Sequence, residues 1–220
     1  MSITNNLETI NSKLPEEVKL VAVSKTKPVS ELMEAYDAGQ RIMGENKVQE
    51  MVEKYEKMPK DIQWHMIGHV QRNKVKYMAE FVDLIHGVDS LKLLKEINKQ
   101  AKKHERVIDC LFQLKIAEED SKFGMSAKDA KSLISSEAFL ELKNIRITGL
   151  MGMATFTDDT DQVRSEFKRL KTIFEDLKPI ASNNCDLKIV SMGMSGDYAI
   201  AIEEGSNMVR IGSRIFGARD

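Results

Sequence analysis

The sequence lacks most of the features that mark a special environment. Two cysteines, Cys110 and Cys185, are too few for a disulfide framework and have no CxxC spacing. Cys110 lies in the apolar run from Val107 to Leu114, so a buried structural thiol is expected there. No stretch approaches the roughly 20 consecutive apolar residues of a membrane-spanning helix, and Met1 to Leu20 shows no signal-peptide core. A soluble protein of a reduced, cytoplasmic compartment is the expectation. Charge of one sign is also missing: the formal net charge is -1 and the pI is near 6.5. Neither nucleic acid nor an acidic membrane is then an expected partner, since both need a clustered basic surface. The Lys and Glu runs read as solvated helix faces. Metal motifs are absent too, for His65 and His69 are four apart but Met66 stands where a HExxH site needs glutamate.

What is present is alternation. With 42% hydrophobic and 30% charged residues, the composition is that of an ordinary globular domain. β-rich runs alternate with amphipathic helical ones along all 220 residues, which points to one domain over 1–220. Strands are expected at Lys19 to Thr26, Arg41 to Asn46, Trp64 to Gly68 and Leu84 to Val88. Four more follow at Arg106 to Ile116, Ile145 to Met153, Leu187 to Met194 and Met208 to Ile211. Helices separate them, with Gly39 as a C-terminal stop, Asp89 or Ser90 as a cap, and an acidic cluster at Asp158, Asp159 and Asp161 opening a long helix. Eight strand–helix units of about 25 residues are the arithmetic of an α/β (β/α)8 TIM barrel, here with an extra helix from Ile3 to Lys13. The competing doubly wound sheet would carry a Gly-rich turn after its first strand, where this chain has Ser24-Lys25-Thr26-Lys27-Pro28.

A barrel keeps its chemistry at the C-terminal strand ends. Those ends carry Lys25, Asn46, His65, His86, Lys115, Met151, Met153, Met192 with Ser195, and Arg210 with Ser213. Period-two alternation puts Val21, Val23, Lys25 and Lys27 on one face. Spacing alone leaves two readings of Lys25 open: an ammonium that snorkels to water, or a desolvated amine available for imine formation. The last two loops, Met192 to Asp197 and Arg210 to Ser213, are Gly-Ser turns of the kind that hold phosphate, although Ser195 as a helix cap is the plainer reading. Taken together with a strand-end lysine, these loops point to a phosphorylated carbonyl ligand. Met151, Met153, Met192 and Met194 lie beside the expected mouth and are candidates to line it.

Six segments carry a resemblance: KLVAVSKTKP (Lys19 to Pro28), GENKVQE (Gly44 to Glu50), WHMIGHVQRNK (Trp64 to Lys74), LMGM (Leu150 to Met153), SMGMSGD (Ser191 to Asp197) and VRIGSRIFG (Val209 to Gly217). In this order they resemble the pyridoxal phosphate homeostasis proteins (the YggS/PROSC group), and more distantly the alanine racemase barrel of the fold-type III proteins. The resemblance implies pyridoxal 5'-phosphate as cofactor, held as an internal aldimine on Lys25. It places Ser195, Gly212 and Ser213 around the phosphate, Arg210 beside the pyridine nitrogen, and Asn46 and Met192 at the cofactor. An arginine partner does not give up its proton, so the ring nitrogen stays unprotonated and the ring is a poorer electron sink. Lys47 departs from the family's usual tyrosine. The implied function is cofactor homeostasis and supply without evident catalysis, in a monomer, with PLP-dependent apo-enzymes as acceptors. The alternatives are an amino-acid racemase-like enzyme and a Schiff-base aldolase. Against the racemase, the eighth unit runs to Asp220 and a second β-rich domain bearing a catalytic tyrosine is not expected. Tyr36, Tyr55 and Tyr77 fall on helices, and Tyr198 lies beside the phosphate-type loop. The loop from Glu118 to Gly124 reads as a polar lid.

Overall fold

A computed structural model describes residues 2–118, 123–180 and 182–217. Eight parallel strands close in sequence order into a barrel, β1 to β8, with β8 pairing back onto β1. They are β1 (Lys19–Val23), β2 (Ile42–Glu45), β3 (Gln63–Met66), β4 (Val82–Val88), β5 (Ile108–Gln113), β6 (Ile145–Met151), β7 (Cys185–Met194) and β8 (Met208–Ile211). The helices are α1 (Ile3–Asn11), α2 (Val29–Asp37), α3 (Val48–Lys57), α4 (Val75–Met78) and α5 (Leu91–Lys103). In the second half come α6 (Ala127–Ile134), α7 (Glu137–Leu140), α8 (Thr160–Leu177), α9 (Tyr198–Glu203) and α10 (Ser213–Phe216).

Three of the expected helix stops and caps are in place. Gly39 follows the C-cap of α2 with φ +95, a conformation that costs an L side chain strain. Ser90 rather than Asp89 caps α5, accepting from Leu93 N, and Asp159 caps α8 by accepting from Asp161 N and Gln162 N. Between β5 and β6 the chain forms two helices, α6 and α7, separated at Ser135 and Ser136, where Ser136 Oγ donates to Leu133 O. The N-terminal helix packs against α2 and α10 at the seam where β8 meets β1, and Asn6 Nδ2 donates to Ile215 O across it.

Strand alternation sorts the core into two layers. Ala22, Met43, Trp64, Met66, Ile85, Val190 and Met192 face the helices in the main cluster. Val21, Leu84, Leu111, Met151 and Met208 fill the barrel interior, joined by Ile42, Ile67, Met153 and Ile189. Both cysteines are buried, and burial raises the thiol of Cys110 strongly and that of Cys185 to about 11. At the C-terminal rim, β2, β3 and β4 approach through backbone alone: a Cβ on Gly68 would sit 2.4 Å from Asn46 O, and one on Gly87 2.6 Å from Gly68 O.

Candidate functional site

The site begins where β1 stops. The ladder was expected to run to Thr26, but the last bond to β2 is Ser24 N to Gly44 O at 3.0 Å. The chain then turns, with Lys27 N donating to Ser24 O at 3.2 Å and Thr26 in the left-handed region at φ 65. Lys25 is therefore a turn residue at the barrel rim, half-buried, and not the end of a strand. Lys27 separates from it by pairing with Glu31 one turn into α2, at 3.5 Å.

Across the seam lie the loops after β7 and β8. Val21 pairs in register with Arg210, so Lys25 and the loop from Gly212 to Ser213 leave adjacent strands at the same end. The approach is close, since a Cβ on Gly212 would stand 3.0 Å from Val23 O. Ser195 does not cap α9, whose N-cap is Asp197 with no side-chain cap bond. Its Oγ instead accepts from Gly212 N at 3.2 Å, which ties the two loops together. Asp197 is turned back onto Met194 N at 2.6 Å, and burial raises its carboxyl. The backbone N–H groups of Gly196 and Ser213 donate to no other described residue. Two such donors beside two serine hydroxyls suit an anion.

Inside the rim a polar chain crosses the apolar interior. Arg210 is 4% exposed; its NH1 donates to Ser191 Oγ at 2.6 Å and its NH2 to Gly152 O at 3.1 Å. Ser191 Oγ lies 3.1 Å from His86 Nδ1, and His86 Nε2 lies 3.0 Å from His65 Nδ1. The chain thus runs β8–β7–β4–β3. One consistent run of donors satisfies it: Arg210 to Ser191, Ser191 to His86, and His86 to His65. Burial drives both imidazoles to the neutral form, His65 to a pKa of about 3 and His86 well below the usual histidine range, with further lowering of His86 by His65 and Arg210. Burial also lowers Arg210 to about 10, which leaves it cationic at neutral pH. Among the described residues no carboxylate is within ion-pair distance of Arg210; its direct partners are neutral acceptors, and the Asp197 carboxylate acts on it only through space. A ring nitrogen without a proton is an acceptor such a guanidinium can serve.

Other expected residues divide. Asn46 is half-buried at the end of β2, with its backbone packed on Gly68. Met151 and Met153 face the interior as expected, but Met192 does not: alternation directs Ser191 inward and Met192 into the helix-facing core, where its thioether is fully buried. Tyr36, Tyr55 and Tyr77 are on α2, α3 and α4, and Tyr198 opens α9. The expected lid falls mostly on residues 119–122, outside the described residues. Its described edges are anchored: Glu118 N donates to Glu166 Oε1 at 3.0 Å, and Gln113 Nε2 donates to Phe123 O at 3.0 Å. Among the described residues no group of three or more His, Cys, Asp or Glu is arranged to hold a metal ion.

Sequence reasoning singled out neither Ser191 nor the pairing of the two histidines. The signal available was position: His65, His86 and Ser191 interrupt strands at inward-facing places, where an unpartnered polar group is costly.

A closed barrel with a rim lysine, two Gly-Ser loops and a buried arginine defines a class. Residues 1–220 match the family described as "Alanine racemase, N-terminal domain". An alanine racemase of Clostridium difficile 630 shares this fold at a TM-score of 0.83, with 15% identity over 99% of this chain and 60% of that one. Within the class, the chain belongs to the pyridoxal phosphate homeostasis protein family. It is 40% identical over 202 residues to the family's member from Aquifex aeolicus (91% of this chain, 87% of that one) and 36% identical over 232 residues to that of Escherichia coli K12 (99% and 97%). PipY of Synechococcus elongatus PCC7942, solved with PLP bound, superposes with a TM-score of 0.89 at 32% identity, covering 98% of this chain and all of that one.

Proposed function

We propose that this chain binds pyridoxal 5'-phosphate, holds it as a Schiff base on Lys25, and serves intracellular PLP homeostasis by keeping the aldehyde bound and delivering it to apo-enzymes. The observation that carries the reading is the registry of Val21 with Arg210, which sets the Lys25 turn beside the Gly212 loop and above a buried guanidinium. One ligand with an aldehyde, a phosphate ester and a ring acceptor would use all three. Ser195, Gly212 and Ser213 would hold the phosphate, Arg210 the ring nitrogen, and Asn46 the rim. Met192 would contribute backbone only. When bound, the cofactor would supply an electrophilic carbonyl carbon, and Lys25 would supply the amine nitrogen that meets it.

The relatives named for PLP homeostasis and the PLP-bound PipY support the ligand. The reading without catalysis rests on the four tyrosines: three lie on helices, and Tyr198 begins a helix beside the phosphate-type loop. Borohydride reduction of the yellow protein should fix a pyridoxyl mass on Lys25. An adduct on Lys27 instead would sink the assignment. Adding apo-enzyme acceptors should bleach the visible band while the acceptor gains activity. Steady deuterium incorporation at the α-carbon of any amino acid would replace this reading with the racemase one.

A further inference from the structure

Behind the Lys25 turn, on the helix-facing side of β2, lies a charged cluster. Lys54 of α3 directs its Nζ to Glu45 Oε1 at 2.7 Å, Glu50 Oε1 at 2.7 Å and Ser24 O at 2.8 Å, which uses all three of its protons. Glu45 Oε1 also accepts from Ser24 Oγ at 2.6 Å, and Glu50 Oε1 from Thr26 N at 2.5 Å. The side chains of Lys54 and Glu45 are 6% and 0% exposed, and that of Glu50 is 22% exposed.

The cluster is a poor device for stability alone. Burying ions carries a heavy desolvation cost, and well-packed apolar residues of similar volume often do as well or better. Among the described residues the buried Glu45 Oε2 has no hydrogen-bond partner, which adds to that cost, and burial is the largest influence raising the Glu45 carboxyl. What the cluster does uniquely is geometric. Its bonds fall on the two residues that flank Lys25: the carbonyl and hydroxyl of Ser24 before it, and the N–H of Thr26 after it. Thr26 sits at φ 65, a left-handed conformation that strains a residue with a β-branched side chain. The Glu50 bond to its N–H offsets that strain and holds the turn.

We infer that Glu45, Lys54 and Glu50 are positioning residues that fix the peptide units on either side of Lys25, so that its amine meets the aldehyde of a bound pyridoxal 5'-phosphate. The inference rests on the Schiff-base reading above. The step it serves is balanced without any co-reactant: the Lys25 nitrogen forms the C=N bond and the aldehyde oxygen departs as water. Orientation contributes to the rate of that step and not to the grip on the phosphate, which belongs to loops on the other side of the seam.

The test separates the two. Pyridoxine 5'-phosphate, which has no aldehyde, reports non-covalent binding; stopped-flow absorbance with pyridoxal 5'-phosphate reports imine formation. For Glu50→Gln and Lys54→Met we expect imine formation to slow about 10-fold or more while pyridoxine 5'-phosphate affinity stays within about 2-fold, with Lys54→Arg recovering part of the rate. Glu50→Gln keeps the inference testable if Lys54→Met does not fold, because Glu50 is the most exposed member. Unchanged imine rates in folded variants would overturn the inference, as would equal losses for both ligands. If the unsubstituted protein itself formed no adduct on Lys25, the Schiff-base reading would fail first, and the two failures are told apart by that control.

Discussion

Replacing Ser191 with alanine removes a single oxygen on which the buried polar chain turns. Ser191 Oγ accepts from Arg210 NH1 at 2.6 Å and contacts His86 Nδ1 at 3.1 Å, and it is fully buried. Losing it strands one N–H of a guanidinium that is 4% exposed. A hydrogen bond to a charged group contributes about 1.5–3 kcal/mol, and a stranded buried polar group costs about 1–3 kcal/mol more. His86 then lacks a partner at Nδ1 as well. The sum, reduced by relaxation, gives an expected loss of about 3–5 kcal/mol, far above the roughly 0.5 kcal/mol of a routine surface change. At this chain length that corresponds to a fall of about 6–20 °C in Tm. Urea unfolding followed by the fluorescence of Trp64, the one tryptophan and fully buried, measures it directly. A loss below about 1 kcal/mol with an unchanged urea slope would refute the claim that the chain is closed through Ser191 and charged at Arg210.

The neutral histidines give a pH signature. The His65 pKa is about 3 in the folded state, so between pH 3 and the unfolded value near 6.5 the unfolded chain binds more protons. The stabilising effect is complete well above pH 6.5 and is lost as pH falls, at up to about 1.4 kcal/mol per pH unit for this residue; between pH 6.5 and 5 the unfolding free energy of His65→Asn in urea should therefore fall about 1.6 kcal/mol less than the parent's. Cys110 and Cys185, buried and with raised thiol pKa values, should react with a disulfide reagent at least about 100-fold more slowly in native buffer than in denaturant, and prompt native labelling of either would contradict their placement. Gly39→Ala should cost about 1–2 kcal/mol by strain alone, because nothing lies within 4 Å of an added Cβ; a neutral result by thermal melting would contradict the positive φ.

The barrel was legible because periodicity is local. Each strand shows itself by apolar alternation within six or so residues, and caps such as Gly39, Ser90 and Asp159 punctuate the helices at sites readable from neighbours alone. Strand ends were less so. The run Lys19 to Thr26 continues to look extended past Val23, and only the left-handed Thr26, held from a helix 24 residues away in sequence by Glu50, ends it. The six sequence segments located Lys25, Ser195, Arg210, Gly212 and Ser213 at one end of the barrel, but not the bond that makes Ser195 a link between two loops.

What the sequence hid is the polar interior, for a physical reason. His86 and Ser191 are 105 residues apart and meet only because the barrel closes. Lys54 and Glu50 at i,i+4 look like any solvated helix pair, and the expectation of solvated Lys and Glu faces fails there, since Lys54 is 5% exposed. Its register did carry a warning, because Val48, Met51 and Lys54 recur every third residue along the buried face of α3. A lysine on that face needs anions and carbonyls in reach, and the sequence offers Glu45 and Glu50. The two buried polar systems therefore have one logic: each spends stability on groups that fix a single side chain at the mouth, Arg210 from within the barrel and Lys25 from behind it.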